Sequence, residues 1–123
     1  MNTETGNDQR PFFVFPCSGA ADVGEISDRA ARQFTRNGNT KMYCMAGIAA
    51  GIETMTAKAK ETCGILAIDG CPMECNKKIL DKNGFSGFKH IVVTSLGMAK
   101  GAAPATEENV RKVVTQITKI IAG

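Results

Sequence analysis

The stretch "GILAIDGCPMECNKKIL", residues 64 to 80, contains a complete transition from a buried strand to a helix. Its first residues form an apolar run that is typical of a strand covered on both faces. Asp-Gly interrupts this run, and we expect a helix from about Pro72 to the "NG" at residues 83 and 84. Because Cys71 and Cys75 fall at the junction, the stretch predicts a strand followed by a helix, with two thiols at the start of the helix.

The sequence on either side repeats this alternation of strands and helices. Apolar runs predict further strands at "FFVF" (12–15), "KMYCM" (41–45) and "HIVVTS" (90–95). Helical spacing predicts helices from Asp22 to the "NG" at 37 and 38, through Ile48, Ile52, Met55 and Ala59, and after Thr106. Because apolar strands that alternate with helices favour a parallel sheet covered on both faces, we expect a small three-layer (Rossmann-like) α/β domain with a mostly parallel sheet of about four strands.

Local signals mark the starts of the first and last helices. Asp22, with Glu25 three residues later, resembles a capping box. Glu107 and Glu108 fall in the first turn of the last helix, where the helix dipole favours acidic side chains. The second predicted helix keeps an apolar side despite the glycines at positions 47 and 51.

Length and composition are those of one globular domain. The chain has 123 residues, of which 43% are hydrophobic and 22% are charged. We expect residues 1–10 to form a flexible N-terminal tail and residues 11–123 a single α/β metal-binding domain. The sequence contains neither a membrane-spanning run nor a secretory signal, and its net charge of +3 is scattered among few aromatic residues. We therefore expect a cytoplasmic protein that binds neither membranes nor nucleic acid.

The predicted sheet brings most of the cysteines to one edge. Since parallel strands all end at the same edge, Cys17, Cys44 and Cys71 should emerge on one side of the sheet. Cys75 lies about one helical turn beyond Cys71 and can face the same cleft. Cys63 precedes the third strand, so that a strand of six residues at about 3.3 Å each separates it from the others by roughly 20 Å. Four cysteines are expected to converge, and the fifth is excluded.

Four thiolates from separate loops suit a tetrahedral site for a soft metal ion. Zinc is the commonest occupant, and an iron-sulfur cluster or Cu(I) is the alternative. The helix N-terminus near Pro72, with Lys77 or Lys78, would offset part of the negative charge of such a centre. The simpler interpretation is that these cysteines are small apolar side chains that fill space at the starts of loops.

Several motifs together resemble one known family. They are "CSGAADVGEISDRAAR" at 17–32, Cys44 followed by "MAGI", "IDGCPMECNKKIL" at 68–80 and "VTSLGMAKG" at 93–101. The chain resembles the DGC family, described as zinc-binding, from about residue 13 to residue 101, and the family name corresponds to the tripeptide Asp69-Gly70-Cys71. The resemblance implies four chelating cysteines, which fall on Cys17, Cys44, Cys71 and Cys75, and it implies little about activity.

Other catalytic motifs fit the sequence poorly. A C-x5-R phosphatase loop beginning at Cys17 would need arginine where the chain has Val23, and a GxGxxG dinucleotide loop is missing. His90 is the only histidine, and it is the first residue of the last strand. We therefore expect His90 at the edge of the sheet away from the cysteines, which disfavours a catalytic Cys-His pair. Asp69 could accept hydrogen bonds beside a metal ligand, or could bond its own backbone in a turn.

Two functions remain open at this point. The first is a zinc-binding protein in which the metal is structural or is carried, with the metal ion as the only partner that the sequence indicates. The alternative is a thiol-based redox or sulfur-transfer enzyme that uses the same cysteines, made reactive by helix N-termini and lysines. Met45, Met73 and Met98, expected near the same edge, would suit copper, but methionine in a small core is usually a space-filling residue.

Overall fold

The computed structural model describes residues 10–36, 38 and 40–122. Within these ranges one parallel sheet is formed by β1 (Phe12–Pro16), β2 (Thr40–Met42), β3 (Gly64–Asp69) and β4 (Lys89–Val92). The helices are α1 (Asp22–Thr35), α2 (Met45–Ala49), α3 (Glu53–Lys60), α4 (Cys75–Lys82) and α5 (Glu107–Ala122). The predicted N-terminal tail lies outside the described residues, apart from Arg10.

Side chains alternate between the two faces of the sheet and so divide the hydrophobic core into two. The core between the sheet and helices α1 and α5 contains Phe12, Val14, Leu66 and Ile68. The core between the sheet and helices α2, α3 and α4 contains Phe13, Phe15, Ile65 and Ala67. Because β1 and β3 are central and covered on both faces, every residue along them can be apolar. The three-layer α/β fold predicted from the sequence is confirmed.

The strand order β2-β1-β3-β4 creates a crevice between the two central strands. After β1 the chain enters α1 on one face of the sheet, whereas after β3 it enters α4 on the other. The loops that follow β1 and β3 therefore separate in opposite directions. In open parallel sheets, ligands bind in the crevice at such a topological switch point, outside the carboxyl ends of the strands.

Some element boundaries differ from those predicted. The bounds of β3 are confirmed at both ends, whereas β2 stops at Met42 because Cys44 already caps α2. The strand predicted at 90–95 ends at Val92 and continues as a short 3-10 helix. The second predicted helix is two helices, because Gly51 adopts a left-handed backbone conformation with φ of 77° and turns the chain between α2 and α3.

The capping box predicted at the start of α1 is wrong. Ala21 occupies the N-cap position and makes no capping hydrogen bond, while Oδ1 of Asp22 accepts a 2.7 Å hydrogen bond from the backbone N–H of Val23. The carboxylate of Asp22 also accepts hydrogen bonds from the backbone N–H groups of Gly101, at 2.9 Å, and Ala103, at 3.0 Å. These two bonds, that of Gly101 first, lower the pKa of Asp22, because they favour the ionised carboxylate. Asp22 therefore attaches the segment that precedes α5 to the start of α1.

None of the helices in the described ranges combines the length and the apolar character needed to cross a membrane.

The hydrogen bonds of Asp22 predict that the free energy of unfolding depends on pH. Since folding lowers its pKa, the ionised carboxylate stabilises the native state above the unfolded pKa of about 3.9, and this stabilisation disappears as the pH falls through the folded value. Asp22→Asn should therefore lower the midpoint of chemical denaturation at about pH 7. The difference from wild type should shrink as the pH falls below about 4.

Glu61→Gln is a matched control, because Glu61 is exposed and forms no ion pair with the described residues. We expect it to leave the midpoint nearly unchanged. A difference between Asp22→Asn and wild type that is constant from neutral to acidic pH would contradict the assignment.

Candidate functional site

Three of the predicted ligand residues follow three neighbouring strands. Cys17 comes directly after β1, and its backbone N–H donates a 2.7 Å hydrogen bond to the carbonyl of Ile68 in β3. Cys71 lies two residues beyond the end of β3, and Cys44 two residues beyond the end of β2. Since β2, β1 and β3 are adjacent, these three thiols belong to one edge of the sheet, at the topological switch point.

The fourth residue, Cys75, lies at the first position of α4. The prediction that this helix begins near Pro72 is wrong, because the chain first makes a turn in which the N–H of Glu74 donates to the carbonyl of Cys71. Glu74 adopts a left-handed conformation with φ of 54°, the only described residue other than glycine to do so. This backbone conformation is energetically unfavourable for a residue that has a Cβ atom. Other contacts must therefore stabilise the start of α4.

The carboxylate of Asp69 supplies those contacts. Its Oδ1 accepts a 2.8 Å hydrogen bond from the backbone N–H of Asn76, and its Oδ2 accepts a 3.1 Å bond from that of Lys77. Oδ2 also lies 2.8 Å from Nε2 of His90. Asp69 is only 1% exposed. A carboxylate at the last position of β3 thus caps the first turn of α4, where unpaired backbone N–H groups and the helix dipole favour negative charge.

The side chain of Asn76 forms hydrogen bonds to both central strands. Its Nδ2 donates 3.1 Å hydrogen bonds to the carbonyls of Phe15 in β1 and Ile68 in β3. Asn76 is 5% exposed, so its amide satisfies carbonyl groups that water does not reach freely. Asp69 and Asn76 together attach α4 to the carboxyl ends of β1 and β3, and they fix the backbone on which Cys75 lies.

Gly70 completes the tripeptide by allowing α1 to approach. A Cβ atom at this position would lie 3.0 Å from the carbonyl carbon of Val23 and 3.1 Å from the backbone nitrogen of Gly24. Any side chain would therefore push the start of α1 away from β3. Each residue of the Asp-Gly-Cys tripeptide has a separate structural position: a helix cap, a close contact with α1, and a thiol at the crevice.

The predicted position of one neighbour of this site is wrong. His90 does not lie at the edge away from the cysteines: β4 is short and pairs only with the second half of β3, so that His90 is opposite Ala67 and contacts Asp69. The ammonium group of Lys77 forms a 3.1 Å ion pair with Asp81, one turn further along α4. That Lys77 or Lys78 offsets negative charge at this site stays a prediction.

All five thiols are free, but they differ in exposure. Cys44 and Cys75 are exposed, whereas Cys17 and Cys71 are partly buried. The sulfur of Cys17 accepts a hydrogen bond from the backbone N–H of Gly19, at 3.4 Å. The thiolate form of cysteine is the form that binds metals. The donor chemistry of this edge therefore fits a soft metal ion.

The thiols are not arranged as a finished metal site. In the described part of the chain, no three His, Cys, Asp or Glu side chains lie close enough together to hold a metal ion. Cys63 lies at the opposite end of β3, as predicted, where its N–H donates to the carbonyl of Pro11. The methionines considered for copper are also separated, since Met98 packs in the core beside α1 and α5 and Met45 packs against the other core.

Fold and site define a parallel α/β domain with cysteines after neighbouring strands, on both sides of a topological switch point. The chain belongs to the DGC family: the sequence model of the DGC domain matches residues 13–117. It is similar to the anaerobic and virulence modulator AnvM of Pseudomonas aeruginosa, with 29% identity over 88 residues, which cover 72% of this chain and 67% of AnvM. No solved structure matches the chain at a significant level. The family resemblance seen in the sequence is confirmed.

The cap at the start of α4 predicts a large effect of a single substitution. Asp69→Ala removes three hydrogen-bond contacts of a buried carboxylate and leaves two backbone N–H groups without their acceptor. We expect a loss of about 2–4 kcal/mol in the free energy of unfolding, measured by chemical denaturation. Hydrogen exchange should accelerate at the amides of Asn76 and Lys77 more than in the rest of α4.

Asp81→Ala is the control on the same helix, because Asp81 is exposed and forms only a surface ion pair with Lys77. Its cost should stay within about 0.5 kcal/mol. If Asp69→Ala costs no more than this, α4 begins correctly without the carboxylate, and the proposed cap is wrong.

Proposed function

We propose that this protein binds one zinc ion through Cys17, Cys44, Cys71 and Cys75, and that it carries the metal or uses it as a structural element in the cytoplasm. The observation that carries the proposal is the common position of these four free thiols, at the carboxyl ends of three adjacent strands and at the first residue of α4. Four cysteine sulfurs are a frequent ligand set of zinc, and a bound zinc ion would hold them as thiolates.

The arrangement favours a site that closes when metal binds. Cys17 and Cys71 lie at the ends of central strands, whose positions both hydrophobic cores fix. Cys44 caps α2, a helix of only five residues followed by the turn at Gly51, and it is exposed. Because no three ligands are preassembled among the described residues, metal binding requires movement, and the exposed Cys44 is one thiol that can move toward the others.

The fold supports carriage of the metal more than a structural role. Zinc sites that hold a fold together are typical of domains that lack a sufficient core. This chain has two cores, and no buried side-chain nitrogen or oxygen among its described residues lacks a hydrogen-bond partner. We therefore infer that the protein folds without zinc and exchanges it.

The first test is metal content. Protein purified under reducing conditions without chelator should contain about one zinc ion per chain by elemental analysis, and Cys71→Ser should lose it. Cys63→Ser is the matched control, because Cys63 is at the other end of β3, and this variant should keep the metal. Wild-type protein that stays metal-free after incubation with zinc would contradict the proposal, and so would an equal loss in both variants.

The second test separates a carrier from the thiol-based enzyme that is the alternative. Metal-free protein should keep its circular dichroism spectrum and a cooperative melting transition. In this form iodoacetamide should modify the exposed Cys44 and Cys75 before Cys17 and Cys71, as followed by peptide mass spectrometry. Zinc should slow modification at all four positions and leave the rate at Cys63 unchanged.

Rapid modification of Cys44 and Cys75 at the same rate with and without zinc would favour the redox or sulfur-transfer enzyme. Unfolding of the metal-free chain would instead make the zinc a structural element.

A further inference from the structure

A groove between α1 and α5 collects arginine side chains that are scattered in the sequence. Its volume is about 350 Å³. The polar residues that line it are Arg29, Arg32, Gln33, Arg36, Glu107 and Arg111. None of the cysteines lines this groove, so it is separate from the proposed zinc site.

Helical spacing explains why the arginines meet. Arg29 and Arg32 in the second half of α1 and Arg36 at its C-cap are three and four residues apart, and therefore follow one face of the helix. Arg111 is four residues after Glu107, on the face of α5 that meets them. Val110, which is 2% exposed, lies between these α5 residues and packs in the core beside α1. The packing of two amphipathic helices thus brings four guanidinium groups to the same groove.

Only part of this positive charge is balanced within the described residues. Arg32 forms a 2.8 Å ion pair with Asp28, and Arg29 lies 3.7 Å from Glu25 and donates to the carbonyl of Ala105. Arg36 and Arg111 have no ion-pair partner among the residues that the structure describes. Glu107 is the only acidic side chain in the described lining. Two guanidinium groups without an ion pair thus lie at the same groove, and a bound anion would offset their charge.

We propose that this groove binds a small anion with two or more phosphate groups. Guanidinium groups present flat pairs of donors that match phosphate oxygens in a bidentate manner. Arg29 and Arg32 form ion pairs within α1, whereas Arg36 and Arg111 are exposed and have none among the described residues, so their guanidinium groups can turn toward a ligand. The groove volume lies in the range of small-molecule sites.

A small ligand is favoured over nucleic acid by the composition of the groove. Single-stranded nucleic acids bind to positive grooves that also carry aromatic rings, on which the bases stack. The described lining contains arginine, glutamine, glutamate and valine, and no aromatic residue. The groove can therefore recognise phosphate groups but offers no surface for stacking.

The test is a calorimetric titration with inorganic tripolyphosphate at low ionic strength. Wild-type protein should bind with about one-to-one stoichiometry. Arg36→Gln and Arg111→Gln should each weaken binding at least about tenfold, because each removes charged hydrogen bonds to the ligand. Both side chains are exposed, so circular dichroism should show an unchanged fold. Lys112→Gln is the matched control: it removes the same charge from the next position of α5, outside the groove, and should change affinity less than about twofold.

Because tripolyphosphate chelates zinc, the titration is repeated in the Cys71→Ser background. The affinity should be the same there, which also separates this proposal from that for the zinc site.

Three results would overturn the proposal. The first is the absence of binding to wild-type protein, and the second is an equal loss in Lys112→Gln, which would indicate diffuse electrostatic attraction. The third is binding of a single-stranded oligonucleotide through Arg36 and Arg111 without binding of tripolyphosphate, which would make the groove a nucleic-acid surface.

Discussion

The buried carboxylate of Asp69 is the constraint on which the candidate site depends. A polar group that is 1% exposed is tolerated only when its hydrogen bonds are made, and Asp69 makes them to two amides of α4 and to His90 of β4. These contacts offset the left-handed backbone at Glu74 and set the point at which α4 begins. Asn76 then reaches the carbonyls at the ends of β1 and β3. The spacing between Cys75 and the thiols of the neighbouring loops follows from this one anchoring group.

The hydrophobic cores hold the central strands, whereas two of the four thiols are exposed to solvent. Two hydrophobic cores hold the central strands from both faces, so Cys17 and Cys71 begin from fixed positions. Cys44 and Cys75 are exposed, and Cys44 precedes the short helix α2 as its N-cap residue. A site with two exposed and two partly buried thiols can accept and release a metal ion without disturbing the cores. This is the physical basis for inferring exchange instead of a permanent structural role.

Features that depend on local pattern could be read from the sequence. The parallel sheet, both ends of β3 and the shared edge of the cysteines follow from apolar runs that alternate with helices. The errors arise from contacts between residues distant in sequence: Asp22 binds Gly101 and Ala103, 79 and 81 residues away, so its capping role was misassigned. The position of His90 depends on the pairing of β4 with β3. The sequence does contain a signal for Asn76. It lies four residues before the buried Leu80, and therefore on the buried face of α4.

The segment between the end of the 3-10 helix and α5 has no regular structure, yet its backbone is attached to α1 at Gly101, Ala103 and Ala105. Its length therefore determines how far along α1 the first turn of α5 lies. A related chain with a longer or shorter segment would bring a different turn of α5 opposite Arg32 and Arg36, while the loops that carry the cysteines would keep their places. The cysteines and the groove between α1 and α5 thus depend on different segments of the chain, so a change of length in this segment would alter the groove and leave the cysteines in place.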